Sequence, residues 1–175
     1  MEPKNAQLKH SLFYGVALGI IIAVYQLLLY IFGAYSNQAL GYLEPLIMII
    51  GIFISIKMYR DQVMGGIVNF NKALGTGVLT AVFIGLVLAI FTYILYKLDG
   101  GLLDEMLITI EEQSIQRGLP AEQIEMQSTL MDQLLTPGVV AFFVLVTKGI
   151  GGTIYSLISA AILKRAENPL EQKES

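Results

Sequence analysis

The chain has 175 residues, of which 55% are hydrophobic and only 14% are charged, and its formal net charge is −3. Because an average soluble domain has about a quarter of its residues charged, this composition argues against a water-soluble fold, and the absence of cysteine excludes disulfides, thiolate metal sites and cysteine nucleophiles. The negative charge and the lack of a basic patch give no support for nucleic-acid binding.

Four apolar stretches are long enough to cross about 30 Å of hydrocarbon at about 1.5 Å per residue. They cover residues 12–32, 39–56, 74–96 and 139–163. The first stretch is longer than the core of a secretory signal and no small-x-small cleavage site follows it, so we expect it to stay in the mature chain. The sequence therefore predicts an all-α, integral membrane four-helix bundle, with residues 1–175 forming a single membrane domain.

Each predicted span carries one stripe of small or polar residues at helical spacing. The stripes comprise Gly15, Gly19, Gln26 and Gly33 in span one, Glu44, Met48, Gly51 and Ser55 in span two, Gly77, Ala81, Gly85 and Thr92 in span three, and Ala141, Lys148, Gly152, Tyr155 and Ser159 in span four. Helix association in lipid relies on close van der Waals contact and interhelical hydrogen bonds, so we predict that these stripes face the inside of the bundle. We interpret the glycines as packing positions, and Gly15 with Gly19 forms a GxxxG pair.

A short loop, KMYRDQVMGGIVNFNKALGTG, joins spans two and three. Gly65 and Gly66 break the chain, and Ile67, Val68 and Phe70 alternate with polar residues just before span three. This alternation predicts an interfacial lead-in that anchors span three among the lipid headgroups.

Residues 97–137, between spans three and four, are too many for a simple connection. Apolar spacing from Leu103 to Ile110 predicts one helix, which Gly118 would end at positive φ, and Pro120 would begin a second helix that stops before Pro137. The result is an amphipathic helical hairpin that we place outside the cytoplasm. Its polar faces carry Asp104, Glu105, Glu111, Glu112, Glu122, Glu125 and Asp132. Anionic headgroups would repel such a surface, so we expect it to pack on the bundle or on another subunit.

Lys148 is the one basic residue within a span, about ten residues or roughly 15 Å below the predicted outer boundary. An unpaired charge at the bilayer centre costs at least about 2.5 to 3.5 kcal/mol, so it requires a partner or a wet cavity. We predict that Glu44 is the partner, with Gln26, Tyr25 or Tyr155 completing the hydrogen bonds. Three interpretations remain open: a polar clasp that fixes helix register, the lining of a solute, ion or proton pathway, or Glu44 in the outer interface with Lys148 snorkelling alone.

Basic residues are unevenly shared between the two sides of the predicted bundle. Eight would lie with the termini and the loop between spans two and three, namely Lys4, Lys9, Lys57, Arg60, Lys72, Lys164, Arg165 and Lys173. Only Lys97 and Arg117 would lie on the other side. Because basic residues near span ends are retained in the cytoplasm, we expect both termini, including the tail 164–175, to be cytoplasmic.

The sequence offers no chemistry for catalysis or cofactor binding. The only histidine, His10, lies at the edge of span one, where we expect it to face solvent, and no catalytic triad, HExxH motif or P-loop accompanies it. Carboxylate pairs such as Glu111 with Glu112 and Glu122 with Glu125 could bind a divalent cation, but a solvated acidic face is far commoner. We therefore expect no catalytic residue, no metal, no cofactor and no enzymatic activity.

Four segments in order carry a resemblance to a known family: YGVALGIIIAVYQLLLY, VNFNKALGTGVLTAVFIGL, RGLPAEQIE and a glycine- and serine-rich last span that ends in LKR. Together they span about Lys9 to Arg165. On these features the chain resembles the bacterial membrane-protein family called domain of unknown function 4199, found mainly in Bacteroidota. The resemblance implies four helices and an inner-membrane location, and it implies no established activity.

These observations predict a non-enzymatic component of the bacterial inner membrane. We expect it to act through contacts with the lipid bilayer, with a membrane-protein partner or with a copy of itself. The alternative is a small solute or ion transporter that works as an oligomer, because four helices leave little room for a pathway inside one subunit.

Overall fold

The computed structural model describes residues 5–34 and 38–165. These residues form α1 (Ala6–Ile31), α2 (Gln38–Gly41), α3 (Leu43–Met58) with a π-helical turn (Tyr59–Val63), α4 (Phe70–Leu98), α5 (Gly101–Gln116), α6 (Ala121–Leu134) and α7 (Pro137–Leu163). Within the described ranges the protein is all-α and no β-strand forms. The tail predicted beyond Arg165, and with it Lys173, lies outside the described residues, as does Lys4.

Four segments are long and apolar enough to cross a membrane, as the sequence predicts. They are Ala6–Ile31, Ala39–Val63, Phe70–Leu98 and Pro137–Leu163. The second segment is not one continuous α-helix, because the chain changes from α2 to α3 at Tyr42 and then widens into the π-helical turn. That turn leads to Gly65 and Gly66, whose φ angles of +65° and +94° favour glycine.

Two helices begin earlier than the apolar pattern predicts. The first starts at Ala6 and the third spanning helix starts at Phe70, so polar residues form their first turns. Gln7, in the first turn of α1, contacts the start of α4. Its Nε2 donates to the Lys72 carbonyl oxygen at 3.1 Å and to Thr76 Oγ1 at 3.2 Å. Gln7 therefore links the first turns of the two helices, and Asn69 Oδ1 caps the start of α4 by accepting from the Lys72 backbone N–H at 2.9 Å.

The structure divides into two compact units. The first contains the described residues up to Leu88 and those from Val146 onward, and the second contains Ala89–Leu145.

In the first unit, glycines let the helix backbones come close together. A Cβ atom added at Gly15 would lie 2.5 Å from Phe83 Cβ and 2.8 Å from the Thr80 carbonyl oxygen, and one added at Gly19 would lie 2.7 Å from Val87 Cβ. There is no room for a methyl group where α1 meets α4. The GxxxG pair is therefore buried at a helix contact, which is its usual role in membrane proteins.

The other predicted packing glycines lie on α3, α4 and α7 of the same unit. A Cβ atom at Gly51 would lie 2.5 Å from the Leu18 side chain, and one at Gly77 would lie 2.5 Å from Ser156 Oγ. A Cβ atom at Gly152 would overlap Ala81 Cβ and lie 2.8 Å from Met48 Cε. Gly85 is also buried.

Gly33 is an exception to the predicted inward stripes. It is exposed, it follows the end of α1 with φ +62°, and an added Cβ atom would meet nothing within 4 Å. The prediction that it faces the bundle interior was wrong, because the helix ends before its periodicity can place this residue on a face.

The second unit contains a pair of short helices, α5 and α6, which contact each other. Gly118 reverses the chain between them with φ +72°, and Pro120 precedes the first residue of α6. Ser114 Oγ donates to Gln127 Oε1 at 3.1 Å across the pair. All the carboxylates of the two helices are exposed, namely Asp104, Glu105, Glu111, Glu112, Glu122, Glu125 and Asp132.

Candidate functional site

An ion pair links α3 and α7 within the spanning segments. Glu44 lies in the first turn of α3, and its Oε1 faces Lys148 Nζ. Its second oxygen, Oε2, accepts a hydrogen bond of 3.0 Å from Gln26 Nε2 on α1. Lys148, Glu44 and Gln26 therefore form one polar cluster, and each carboxylate oxygen has its own partner.

The Lys148–Glu44 contact offsets the cost of burying the two charges, and the N-terminus of α3 further favours the charge of Glu44. The Lys148 side chain is 26% exposed and that of Glu44 is 15% exposed, so both charges are largely removed from the surroundings and each needs the other. Glu44 also lies near the N-terminus of α3, where unpaired backbone N–H groups favour a negative charge. The arrangement joins three helices through one carboxylate.

Neither tyrosine considered as a partner bonds to the cluster. Tyr25 OH donates instead to the Leu40 carbonyl oxygen at 2.7 Å, which ties α1 to α2. Tyr155 makes no hydrogen bond among the described residues. Its distance along α7 explains this, because it lies two helical turns beyond Lys148, whereas a lysine side chain leans toward the helix N-terminus.

A second polar network occupies the same unit, and the sequence analysis missed it. Ser55 Oγ and Thr80 Oγ1 lie 2.9 Å apart between α3 and α4, and Thr80 Oγ1 donates to the Thr76 carbonyl oxygen at 2.8 Å. Ser11 Oγ on α1 donates to the same carbonyl oxygen at 3.2 Å. The side chains of all four residues, Ser11, Ser55, Thr76 and Thr80, are fully buried. A lone serine or threonine in an apolar run looks neutral in a sequence, which is why only Ser55 stood out.

His10 belongs to this network and is half-buried. Its Nε2 lies 2.9 Å from the Ser55 carbonyl oxygen, and because a carbonyl can only accept, Nε2 carries the proton. The imidazole stacks on Tyr14 at a centroid distance of 4.5 Å and meets the buried Tyr59 ring at 5.3 Å. The expectation that His10 faces solvent was wrong, because α1 begins at Ala6, six residues or nearly two turns before its apolar stretch, and the ring of His10 is half-buried against other helical residues.

The loop before α4 also contacts the end of α7. The backbone N–H of Arg165 donates to the Val68 carbonyl oxygen at 2.9 Å, and the Val68 side chain is fully buried. The predicted lead-in is therefore partly enclosed by protein rather than lying wholly among headgroups.

The described residues contain no group of three or more histidine, aspartate and glutamate side chains arranged to hold a metal ion. Within the same part of the chain, several polar side chains of the spanning helices bond to side chains of other helices, as in the cluster of Lys148, Glu44 and Gln26 and the pair of Ser55 and Thr80. These contacts join helices to one another.

Comparison with known proteins identifies the family of the chain. Neither the curated proteins nor the solved structures contain a match to the chain. The family described as "Protein of unknown function (DUF4199)" matches residues 13–165, a range that includes Gln26, Glu44 and Lys148. With four helices that are long and apolar enough to cross a membrane, the chain is a multi-pass membrane protein and belongs to the DUF4199 family.

Proposed function

We propose that the protein is a non-enzymatic component of the bacterial inner membrane that acts through contacts with protein, lipid or a second copy of itself. The observation that carries this proposal is the use of the polar side chains within the spans. Glu44 binds both Lys148 and Gln26, and Ser55 binds Thr80, so these groups support helix packing.

The surface of the helix pair α5 and α6 supports a protein partner. On α6, Met126, Leu130 and Leu134 are exposed and recur every four residues, so they form one apolar stripe. Exposed carboxylates lie on the same helix. A surface that combines an apolar stripe with acidic groups suits a protein contact better than an anionic lipid surface.

A photocrosslinking amino acid at Leu130 tests this proposal in living cells. We expect it to capture one defined membrane protein or a second copy of the chain, whereas the same probe at Thr129, which is exposed on the polar side, should capture much less. Equal, diffuse labelling from both positions would contradict a specific contact through this stripe.

The orientation of the protein in the membrane is part of the proposal. Both termini and the loop around Gly65 would be cytoplasmic, and α5 with α6 would be periplasmic, because basic residues favour the cytoplasmic side.

The absence of cysteine makes this orientation testable without background labelling. Glu112→Cys on α5 should react with a membrane-impermeant maleimide in intact spheroplasts, whereas Gln62→Cys should react only after the membrane is opened. Both positions are exposed, so differences in burial do not affect the comparison. The reverse labelling pattern would overturn the orientation.

A transporter working as an oligomer is the second candidate, and one observation favours it. The ion pair is not sealed, since the Lys148 side chain keeps 26% of its surface exposed and could meet a solute or ion. Purified protein in liposomes separates the two candidates: ion or proton flux that disappears with Lys148→Met would favour transport, and the absence of flux from folded protein would favour the first candidate.

A further inference from the structure

An open groove of about 560 Å³ runs along the first turns of α1. The described residues that line it are Lys9, Leu12, Phe13, Val16, Ala17 and Ile20. Phe13 and Ile20 are exposed and form its raised edges, whereas Val16 and Ala17 are half-buried and form its floor. The lining is apolar along its whole length except for Lys9 at one end.

Lys9 places a positive charge next to that end of the groove, whose own lining is almost wholly apolar. Its side chain is exposed, and among the described residues no carboxylate forms a salt bridge with it. An ammonium group beside an apolar channel complements a ligand with an anionic head and a hydrocarbon tail. A wholly apolar ligand or a zwitterionic one would leave this charge without an equal partner.

The length of the groove matches one leaflet of a bilayer. Lys9 and Ile20 are eleven residues apart, which corresponds to about 16 Å along a helix axis, and half of a hydrocarbon core is about 15 Å. With α1 in the orientation proposed above, Lys9 would lie at the cytoplasmic headgroups, where anionic lipids attract basic side chains. The apolar floor would then extend to about mid-membrane.

We propose that this groove binds one anionic phospholipid, with the headgroup phosphate on Lys9 and one acyl chain on the floor formed by Val16 and Ala17. The inference rests on the proposed membrane orientation of α1, and it adds a defined lipid site to the general lipid contact of a membrane helix. A second copy of the chain and free inorganic phosphate are the competing occupants.

Native mass spectrometry of the full-length protein, released from micelles containing phosphatidylglycerol or phosphatidylcholine, tests the proposal. We expect the wild-type protein to retain one phosphatidylglycerol in preference to phosphatidylcholine. Lys9→Gln should weaken retention about fivefold, the effect of one basic residue near an anionic headgroup. Ala17→Phe should weaken it as well, because the larger ring would fill the floor without changing the charge.

Two control variants match these changes. Lys57→Gln removes an exposed lysine from the end of α3, and Ile21→Phe enlarges an exposed residue of α1 that does not line the groove. Neither should alter phosphatidylglycerol retention. Circular dichroism in phosphatidylcholine micelles establishes that each variant is folded before its retention is compared.

Four results would overturn the proposal. An equal loss in Lys57→Gln would indicate a diffuse effect of surface charge, and full retention in Ala17→Phe would show that the groove takes no acyl chain. Displacement of the lipid by inorganic phosphate, or a protein dimer that Ala17→Phe dissolves, would identify a different occupant. None of these results bears on the Leu130 crosslinks, so the partner proposal and the lipid proposal fail independently.

Discussion

Replacing Gly152 with leucine is expected to destabilise the protein by about 3 kcal/mol, the upper end of the usual cost of overpacking. A Cβ atom at this position already overlaps Ala81 Cβ, and the atom that it would meet belongs to a short side chain on a neighbouring helix. The helices must therefore move apart, because Ala81 cannot rotate away. Thermal unfolding in detergent, followed by circular dichroism, measures the effect.

Gly149→Leu is the matched control on the same helix. An added Cβ atom at Gly149 meets nothing within 4 Å, so we expect a change of less than about 0.5 kcal/mol, as for a surface substitution. The comparison cancels the general effect of replacing glycine by leucine in α7. Equal destabilisation by the two changes would contradict the close packing at Gly152.

Replacing Lys148 with methionine is expected to destabilise the protein by about 2 to 3 kcal/mol. The change keeps a long side chain but leaves the Glu44 carboxylate largely buried with only Gln26 as a partner. Loss of one member of a buried pair costs about 3 to 5 kcal/mol, and the partial exposure of Lys148 lowers that expectation.

Lys57→Met provides the control. Lys57 is exposed at the end of α3, and its replacement by methionine removes the same positive charge as Lys148→Met does. We expect a change of at most about 0.5 kcal/mol from it. If Lys148→Met unfolded at the same temperature as the wild-type protein, the charge would have no part in folding and the transporter candidate would gain support.

Much of the fold follows from periodicity and length alone. Four apolar stretches of sufficient length predict four spanning helices, and a helical repeat of small residues identifies positions such as Gly15, Gly77 and Gly152 that are buried at helix contacts. The pairing of Lys148 with Glu44 could be inferred from depth, because a charge within lipid restricts its possible partners to very few.

Other features depend on contacts between residues far apart in the chain and could not be read from a local pattern. The link between the first turns of α1 and α4 is made by Gln7, whose amide bonds to α4 across more than sixty residues of sequence. The half-buried position of His10 includes a hydrogen bond to the distant carbonyl oxygen of Ser55. A sequence shows the polar group in each case but not the distant acceptor.

Glu44 shows the same limit within the candidate site. Its value as a partner for Lys148 was predictable, but the selection of Gln26 over Tyr25 and Tyr155 depends on the exact rotation of three helices. Tyr155 does not bond to the cluster because the Lys148 side chain leans toward the N-terminus of α7, away from Tyr155.

A double-mutant cycle of Lys148→Met and Glu44→Gln, measured by thermal unfolding in detergent, tests most directly whether the cluster is a structural clasp. We predict that each single change destabilises the protein. The double variant should be about 2 kcal/mol more stable than the sum of the two single effects implies, because it leaves no unpaired charge. Single effects that add within about 0.5 kcal/mol would show that the two charges are independent and would contradict a structural clasp.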